Sequence, residues 1–197
     1  MPPLVVGFVG GVSSGKSTVA RIFAEEREAT RIDADSLARR VLGLRSVRKA
    51  LRKRFPGLMD RHGTLDRQAL AVRVFADREE RVALESILHP PIRKAMERTI
   101  KRARTRYVLL DAALLQESGA DRLCGAVVYV RCPARVRRGR ALRGRGWSAD
   151  HHAAREASQW SLRRKRAGAT DVIDNGNGSE RTRREVRRVL RRLERRG

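Results

Sequence analysis

The sequence predicts an α/β domain built on an open parallel sheet. Residues 4–9 form an apolar run suited to a buried strand, and residues 18–24 carry apolar side chains at helical spacing. A glycine-rich loop lies between these two elements. Apolar strand signals return at 107–111 and 126–130, after a long helical stretch. At 197 residues the chain can bury one core, so we expect a single domain with insertions.

The loop fits the phosphate-binding pattern G-x-x-x-x-G-K-[ST] at every fixed position over residues 10–17. Between a strand and a helix, its backbone N–H groups can converge on phosphate oxygens, and the helix start favours the anion. We expect Lys16 to reach the β- and γ-phosphates of a nucleoside triphosphate and Ser17 to ligate Mg²⁺. An ordinary glycine-rich turn is the alternative, which the complete match disfavours. The predicted nucleotide-binding residues are Gly10, Gly11, Val12, Ser13, Ser14, Gly15, Lys16, Ser17 and Thr18.

Acidic residues lie at the ends of the next two predicted strands. Residues 30–33 are extended in character and precede a helical stretch, so Asp33 and Asp35 lie at a strand-to-helix junction. Ligands bind at the carboxyl ends of strands in an open parallel sheet, so both carboxylates should face the crevice of the loop. Helix capping is the alternative for both. Asp111 ends the following apolar run, as expected of a residue held near Mg²⁺ or substrate.

Two long segments between the strands are predicted to be helical. Residues 44–104 have breaks at Pro56-Gly57 and 61–64 and apolar faces on either side of Pro90-Pro91. We interpret this stretch as an insertion that forms a second binding wall. Residues 131–166 hold twelve Lys or Arg and two acidic residues, and most of these cations are expected on a solvated helical hairpin. A few of them are expected to close over a bound triphosphate.

The end of the chain predicts a short strand, a turn and a closing helix. Residues 172–176 give the strand and the turn. Four apolar residues then recur at helical spacing in an arginine-rich segment, which indicates an amphipathic helix. They are Val186, Val189, Leu190 and Leu193.

The net charge of +24 raises the question of nucleic-acid binding. Residues 180–197 contain nine Arg and three Glu, so most of the excess lies elsewhere along the chain. Two Trp, two Tyr and four Phe provide little material for stacking on bases. The composition therefore predicts weak, salt-sensitive binding and no specific nucleic-acid partner.

The remaining composition points to a cytoplasmic protein. Cys124 and Cys132 have neither metal-ligand spacing nor a disulfide framework, and we interpret them as small apolar fillers. The longest apolar stretches fall far short of the roughly 20 residues needed to span a bilayer, and the start of the chain lacks a signal pattern. We therefore expect no membrane partner.

Taken in order, the motifs resemble those of the dephospho-coenzyme A kinase family. The likeness extends to about Asn177, and its Asp-Ala-Asp, Leu-His-Pro and Ile-Asp-Asn segments are more specific than the phosphate loop. The matching stretches are residues 10–18, 32–35, 38–39, 63–67, 74–75, 84–90, 111–119 and 171–175, together with Gln159.

The resemblance implies a P-loop fold similar to that of nucleoside monophosphate kinases, with a five-stranded parallel sheet as its core. It also implies a helical acceptor-binding insertion at about 44–104 and a lid at about 136–167, with the core formed by the remaining residues. The implied reaction is ATP-dependent phosphorylation of the ribose 3′-hydroxyl of dephospho-coenzyme A, with ATP and Mg²⁺ as cofactors. We expect a monomer or a weak oligomer.

The resemblance also implies roles for individual residues. Asp35 would accept or orient the hydroxyl proton, while Lys16, Mg²⁺ and lid arginines would neutralise charge on the transferring group. Arg140 is the predicted lid arginine, and Arg143 and Arg145 are the alternatives.

Other residues are expected to contact the two substrates. Asn175 and Gly176 resemble the turn that flanks the adenine of ATP, with a plain β-turn as the alternative. His89 is placed at the acceptor pocket, with helix capping or packing as the alternative. Arg39 is expected to bind a substrate phosphate or the carboxylates next to it, and Asp33 and Asp111 complete the predicted acceptor site.

Three positions depart from the family pattern. Ala113 stands where the family usually has proline, which affects loop rigidity more than chemistry. Ser13 stands where the family often has glycine, and serine is tolerated there if its backbone is not left-handed. Gly144 stands where many relatives have a lid arginine, so Arg143 and Arg145 on either side of it are kept as alternatives for the lid cation.

Two other functions remain open from the residues alone. A different small-molecule kinase, of the nucleotide or shikimate type, would share the loop and the lid. A nucleic-acid-stimulated P-loop ATPase is the alternative from another class, and the positive charge motivates it.

Overall fold

A computed structural model describes residues 2–60 and 64–195, apart from the side chains of Phe75 and Arg145. The predicted break at 61–64 lies outside the described residues except for Thr64, and so does Gly63 of the family motif. The side chain of Arg145, one alternative lid cation, lies outside them as well.

The described residues contain one five-stranded sheet in which all pairings are parallel, with the order β2-β3-β1-β4-β5. The predicted α/β class and the five parallel strands are therefore confirmed. The strands are β1 Leu4–Val9, β2 Ala29–Asp33, β3 Tyr107–Asp111, β4 Ala126–Arg131 and β5 Asp171–Asp174.

The strand register brings the ends of the strands to one edge of the sheet. Asp33 pairs with Asp111 across β2 and β3, and Phe8 of β1 pairs with Asp111 and with Val128 of β4. The phosphate loop follows β1, which is the central strand. Asp33 and Asp111 therefore lie side by side, and Asp111 is on the strand next to the one that carries the loop.

Nine α-helices and one 3₁₀ turn connect and cover these strands within the described part of the chain. The 3₁₀ turn is Ala120–Leu123. The helices are α1 Lys16–Glu26, α2 Ala34–Val41, α3 Arg45–Arg54, α4 Arg67–Ala76, α5 Arg78–Arg102, α6 Ala134–Arg145, α7 Ala149–Ala157, α8 Leu162–Ala167 and α9 Ser179–Glu194.

The chain divides into two compact units. The first comprises Met1–Ala34 and Thr99–Gly197 and contains the whole sheet, and the second comprises Asp35–Arg98. In the first unit, α1 and α9 cover a core of strand residues. Phe23 of α1 makes edge-to-face contacts with Phe8 and Tyr107, at centroid distances of 6.1 and 5.5 Å. Such aromatic pairs stabilise the core by more than their buried area alone.

The closing helix α9 has the amphipathic character that its sequence predicts. Val186, Val189, Leu190 and Leu193 are buried in the core of the first unit. At the edge of this packed face, Arg183 and Arg187 each pair with Glu26 of α1 at 2.8 Å. Hydrophobic burial therefore fixes the packing of α9, and the ion pairs add to it at the edge.

The second unit has a separate small core. Val41, Val47, Leu51, Phe55 and Leu70 are buried together, and apolar residues of α5 pack against them. The two apolar stretches on either side of Pro90 and Pro91 belong to one continuous helix of 25 residues. The prolines remove two backbone N–H donors from that helix without ending it.

No described helix is both long enough and apolar enough to cross a membrane.

Changing Glu26 to Gln should destabilise the fold in a pH-dependent way. Hydrogen bonds from Arg187 and Arg183 lower the pKa of Glu26 from 4.5 to about 2. The carboxylate therefore stabilises the folded state above about pH 4.5, and this contribution is lost as the pH falls towards 2. Denaturant unfolding at pH 7 should show the Gln variant to be less stable than the unmodified protein, and the difference should shrink between pH 4.5 and 2.

Glu97→Gln is the matched control, because Glu97 forms an exposed ion pair with Arg93 on a single helix. Exposed pairs of this kind contribute little to stability. If both Gln variants show the same pH dependence, the ion pairs of Glu26 do not hold α9 to α1.

Candidate active site

The backbone of the phosphate loop contains three residues with positive φ. Gly10 and Gly15 have φ angles of +152° and +88°, which glycine adopts without steric cost. Ser13 has a φ of +57°. Serine was expected to be tolerated here only if its backbone was not left-handed. The turn of the loop places residue 13 in the left-handed region, so this expectation is not met. Such a residue costs on the order of 1 kcal/mol and persists only where its surroundings hold it.

Lys16 lies against the loop that precedes it. Its Nζ donates to the carbonyl oxygens of Gly10 and Gly11, at 3.2 and 3.1 Å. These bonds hold the ammonium group at the phosphate loop. From there it can exchange its carbonyl acceptors for phosphate oxygens.

The start of α1 is suited to an anion. Its N-cap is Gly15, which offers no side-chain cap, and within the described first turn there is no acidic residue. The positive end of the helix dipole is therefore not neutralised by an acidic side chain of the helix itself. Ser17 is exposed in this first turn.

The residues around the loop also fit a nucleotide with Mg²⁺. The buried side-chain oxygens Ser13 Oγ and Ser14 Oγ have no hydrogen-bond partner among the described residues. Hydroxyl and carboxylate oxygens of Ser17 and Asp111 are the hard donors that Mg²⁺ prefers, and in nucleotide sites this ion keeps several waters besides phosphate oxygens. Within the described chain, no cluster of three or more His, Cys, Asp or Glu could hold a metal by itself.

One side of the loop is held by α6 and by the turn after β5. Ser14 O accepts a hydrogen bond from Arg140 Nη1 at 3.2 Å and another from Asn175 Nδ2 at 2.8 Å. Arg140 Nη2 also donates to Asn175 O at 2.9 Å. Thr182 Oγ1 donates to Asn175 Oδ1 at 2.9 Å, which fixes the orientation of the buried amide. The side chain of Asn175 therefore supports the phosphate loop.

The turn after β5 is itself held by side-chain contacts. Gly176 N donates to Asp174 Oδ1 at 2.9 Å, and Arg131 pairs with the same carboxylate at 2.6 Å. The hydrogen bond from Arg131 is the main reason that the pKa of Asp174 lies below its usual range. A side chain at Gly176 would meet Pro133 Cδ at 2.6 Å, so only glycine fits this close approach.

Arg140 is the predicted lid cation that the structure brings to the loop. Among the described residues no carboxylate lies within ion-pair distance of it, so its charge remains available to an anion. Cys132 Sγ lies 3.6 Å from Arg140 Nη1, and burial raises the pKa of this thiol and keeps it protonated. Arg143 is exposed on the same helix.

The predicted acceptor residues are divided between the two units. Asp33 is exposed at the end of β2, and Asp111 is half-buried beside it. Asp35 and Arg39 are exposed on α2, where Arg39 Nη2 donates to Ser36 Oγ at 2.7 Å. His89 is half-buried in α5. The first two belong to the unit that contains the phosphate loop, and the other three belong to the second unit.

Sequence reasoning missed two buried cations in the basic segment. The segment forms three helices instead of a hairpin, and it buries Arg137 and Lys165 to 4% and 1% exposure. Lys165 Nζ lies 3.0 Å from Glu117 Oε1 and donates to Gln159 Oε1 at 2.7 Å and to Ala113 O at 3.4 Å. It thereby anchors the loop that follows Asp111. A buried lysine needs such a set of acceptors, but no sequence spacing reveals them.

A glycine-rich phosphate loop after the central strand of a parallel sheet, with Lys16 and Arg140 hydrogen-bonded to carbonyl oxygens of that loop, defines a P-loop nucleotide-binding protein. The particular family follows from the sequence comparison. The dephospho-CoA kinase family model matches residues 4–181, and the chain belongs to that family. The resemblance inferred from the motifs is therefore confirmed.

Individual proteins support this assignment over nearly the whole chain. A dephospho-CoA kinase of Deinococcus radiodurans is 40% identical over 195 residues, covering 98% of this chain and 93% of that protein. The crystal structure of a protein from Thermus thermophilus has a TM-score of 0.87 at 32% identity, covering 98% of this chain and 99% of its own. A dephospho-CoA kinase structure from Campylobacter jejuni has a TM-score of 0.67 at 25% identity, with 96% of both chains covered.

Arg140→Ala should lower the turnover of ATP by about 10- to 100-fold and weaken ATP binding less. The contact of this guanidinium with the triphosphate should strengthen as charge develops in the transition state, and its loss then appears mainly in kcat. Steady-state kinetics and direct nucleotide titration measure the two effects separately. Hydrogen exchange across α6 should also slow when ATP and the acceptor bind together.

Arg143→Ala is the comparison variant on the same helix. A larger loss of kcat in that variant would move the lid assignment from Arg140 to Arg143. Normal kinetics of Arg140→Ala with unchanged exchange would leave α6 as a solvated basic helix.

Proposed function

We propose that the protein transfers the γ-phosphate of ATP to dephospho-CoA, at the ribose 3′-hydroxyl, and releases ADP and coenzyme A. The observation that carries this proposal is the phosphate loop with Lys16 folded against it, in a chain that matches the dephospho-CoA kinase family over residues 4–181. In the balanced reaction, the 3′-oxygen forms a bond to the γ-phosphorus, the bond between that phosphorus and the β-γ bridging oxygen breaks, and the hydroxyl proton passes to a base.

The nucleotide would bind through the loop and the start of α1. Backbone N–H groups of the loop and the uncapped helix end would hold the β- and γ-phosphates, and Lys16 would transfer its hydrogen bonds from loop carbonyls to phosphate oxygens. Ser17 would hold Mg²⁺, which supplies charge neutralisation on the phosphates when bound. Asn175 and Gly176 would flank the adenine through their backbone groups.

The acceptor hydroxyl needs a carboxylate as its base. We assign this role to Asp35, in the first turn of α2. Asp33 and Asp111 lie at the ends of neighbouring strands, and the strand of Asp111 adjoins the phosphate-loop strand. This position suits them to orient the acceptor or the waters of Mg²⁺. Their register supports a shared acidic edge, which is where ligands bind in open parallel sheets.

Arg39 and His89 are the remaining residues that we propose contact the acceptor. Arg39 offers a guanidinium on the exposed side of α2, which suits a phosphate group of dephospho-CoA. His89, which lies on α5, would form a hydrogen bond with the acceptor as donor or as acceptor. The basic segment at about 136–167 would act as the lid. Closing over ATP would exclude water and so limit hydrolysis.

The proposed reaction predicts one product from purified protein, Mg²⁺-ATP and dephospho-CoA. Mass spectrometry should show coenzyme A and ADP, and fragmentation should map the added phosphate to the 3′-hydroxyl. The proposal is wrong if phosphate appears on a nucleoside monophosphate, shikimate or a polynucleotide end and never on dephospho-CoA. ATP hydrolysis stimulated by DNA or RNA at 200 mM salt would favour a nucleic-acid-dependent ATPase instead.

Lys16→Ala and Asp35→Asn should damage different parts of this reaction. Loss of Lys16 removes a phosphate ligand and should weaken ATP binding and turnover together. Asp35→Asn should retain ATP affinity and lower kcat by about 100-fold or more, because the amide cannot accept the proton. Nucleotide titration and turnover at saturating substrates separate the two effects.

Asp33→Asn and Asp111→Asn are the matched comparisons for the base, since each removes one carboxylate at the same edge. Near-normal turnover of Asp35→Asn would exclude it as the base. The variant with the largest loss of kcat at unchanged ATP affinity would then identify the base.

A further inference from the structure

Arg137 is buried against the phosphate loop, and Gly11 provides the space for it. A Cβ atom built on Gly11 would lie 2.1 Å from Arg137 Nη1, 3.0 Å from its Cζ and 3.2 Å from its Cδ, and these are the three nearest atoms. The φ of Gly11 is not positive, unlike the φ of Gly10 and Gly15. Backbone conformation therefore does not require glycine at position 11. The buried side chain of Arg137 occupies the space that a side chain at position 11 would take.

The charge of Arg137 is compensated inside the same unit. Its Nη1 donates to Glu156 Oε1 of α7, and no hydrogen-bond partner of its Nε is found among the described residues. The buried ring of His152 lies beside the same carboxylate, with Nδ1 3.9 Å from Glu156 Oε2. Glu156 is 31% exposed, but the guanidinium is buried, so removing Glu156 would leave a buried charge unpaired, which is costly. Glu156 thus fixes the position of the guanidinium behind the loop.

The loop needs support of this kind because of Ser13. A left-handed serine is retained only where its neighbours hold the backbone in place. Arg140 and Asn175 hold the loop at Ser14 O. Arg137 lies one helical turn before Arg140 on α6 and fills the space at Gly11, so the two arginines contact the loop on either side of Ser13 along the chain.

We propose that Arg137 is a positioning residue of the phosphate loop, which acts through its contact with Gly11 and is itself anchored by Glu156. This inference deepens the proposed function, because it concerns the loop that would bind ATP. It adds a link from the basic helices α6 and α7 to the conformation of the phosphate-binding backbone.

A double-mutant cycle between Gly11 and Arg137 tests the contact directly. Gly11→Ala in the unmodified protein should lower the affinity for ADP by about tenfold or more, because the new methyl group collides with the guanidinium and one of them must move. In the Arg137→Ala background the collision is absent, so the same change should alter the affinity by about twofold or less. Calorimetric titration with Mg²⁺-ADP measures both without any acceptor.

Kinetic constants distinguish positioning from general stability. Arg137→Ala should raise the KM for ATP about tenfold and leave the KM for dephospho-CoA within about twofold. Arg137→Lys keeps the charge but loses the planar group, and it should restore part of the ATP affinity. Glu156→Gln should resemble Arg137→Ala. Arg135→Ala is the control, since Arg135 is exposed on the same helix, and its constants should not change.

Equal effects of Gly11→Ala in both backgrounds would overturn the proposal. So would an Arg137→Ala variant that melts at a lower temperature with unchanged ADP affinity, since that is a structural role alone. If Gly11→Ala does not fold, its recovery in the Arg137→Ala background supports the contact, and failure to recover contradicts it. A protein that shows the coupling in ADP binding but never phosphorylates dephospho-CoA would refute the proposed function and leave this inference standing.

Discussion

The hydrogen bonds on the carbonyl oxygen of Ser14 are the interaction on which the site depends. Arg140 and Asn175 both donate to this one atom, and the pair formed by Asn175 and Ser14 spans 161 residues of sequence. The loop after β1 is thereby joined to α6 and to the turn after β5. Because Thr182 orients the amide of Asn175, the closing helix α9 also supports the loop. A phosphate site made of backbone amides needs this support, since its donors have no rigidity of their own.

The glycines of the loop are present for different physical reasons. Gly10 and Gly15 adopt positive φ, which other residues tolerate poorly, while Gly11 makes room for a buried arginine. Ser13 has a left-handed backbone without being glycine, so the loop stores a small strain that its contacts must offset. The pattern G-x-x-x-x-G-K-[ST] therefore describes a backbone shape together with the side chains that pack against it.

The sequence predicted the elements whose signals are local. Apolar runs identified β1, β3 and β4, and shorter extended stretches indicated β2 and β5. The loop motif identified the phosphate site, and the spacing of Val186 to Leu193 identified α9. The burial of Arg137 and Lys165 could not be predicted, because their partners Glu156 and Glu117 lie on other elements and charge runs are usually solvated. The positive φ of Ser13 was indicated by the glycine that the family often has at this position. No sequence signal indicated that Asn175 holds Ser14 O, because this contact exists only after β1 and β5 join one sheet.

The charge of +24 is best understood by separating the cations that have partners from those that do not. Arg137 and Lys165 are buried with carboxylates, and Arg183 and Arg187 join α9 to α1 through Glu26. With 46 basic and 22 acidic residues, such pairs can neutralise at most half of the cations, and many of the others are exposed among the described residues. Surface charge of this kind is screened by salt and selects no particular anion. Selectivity for a triphosphate must come from position. Arg140 meets that requirement because its hydrogen bonds go to carbonyl oxygens of the loop and turn, so its charge is held at the loop that we propose binds the phosphates.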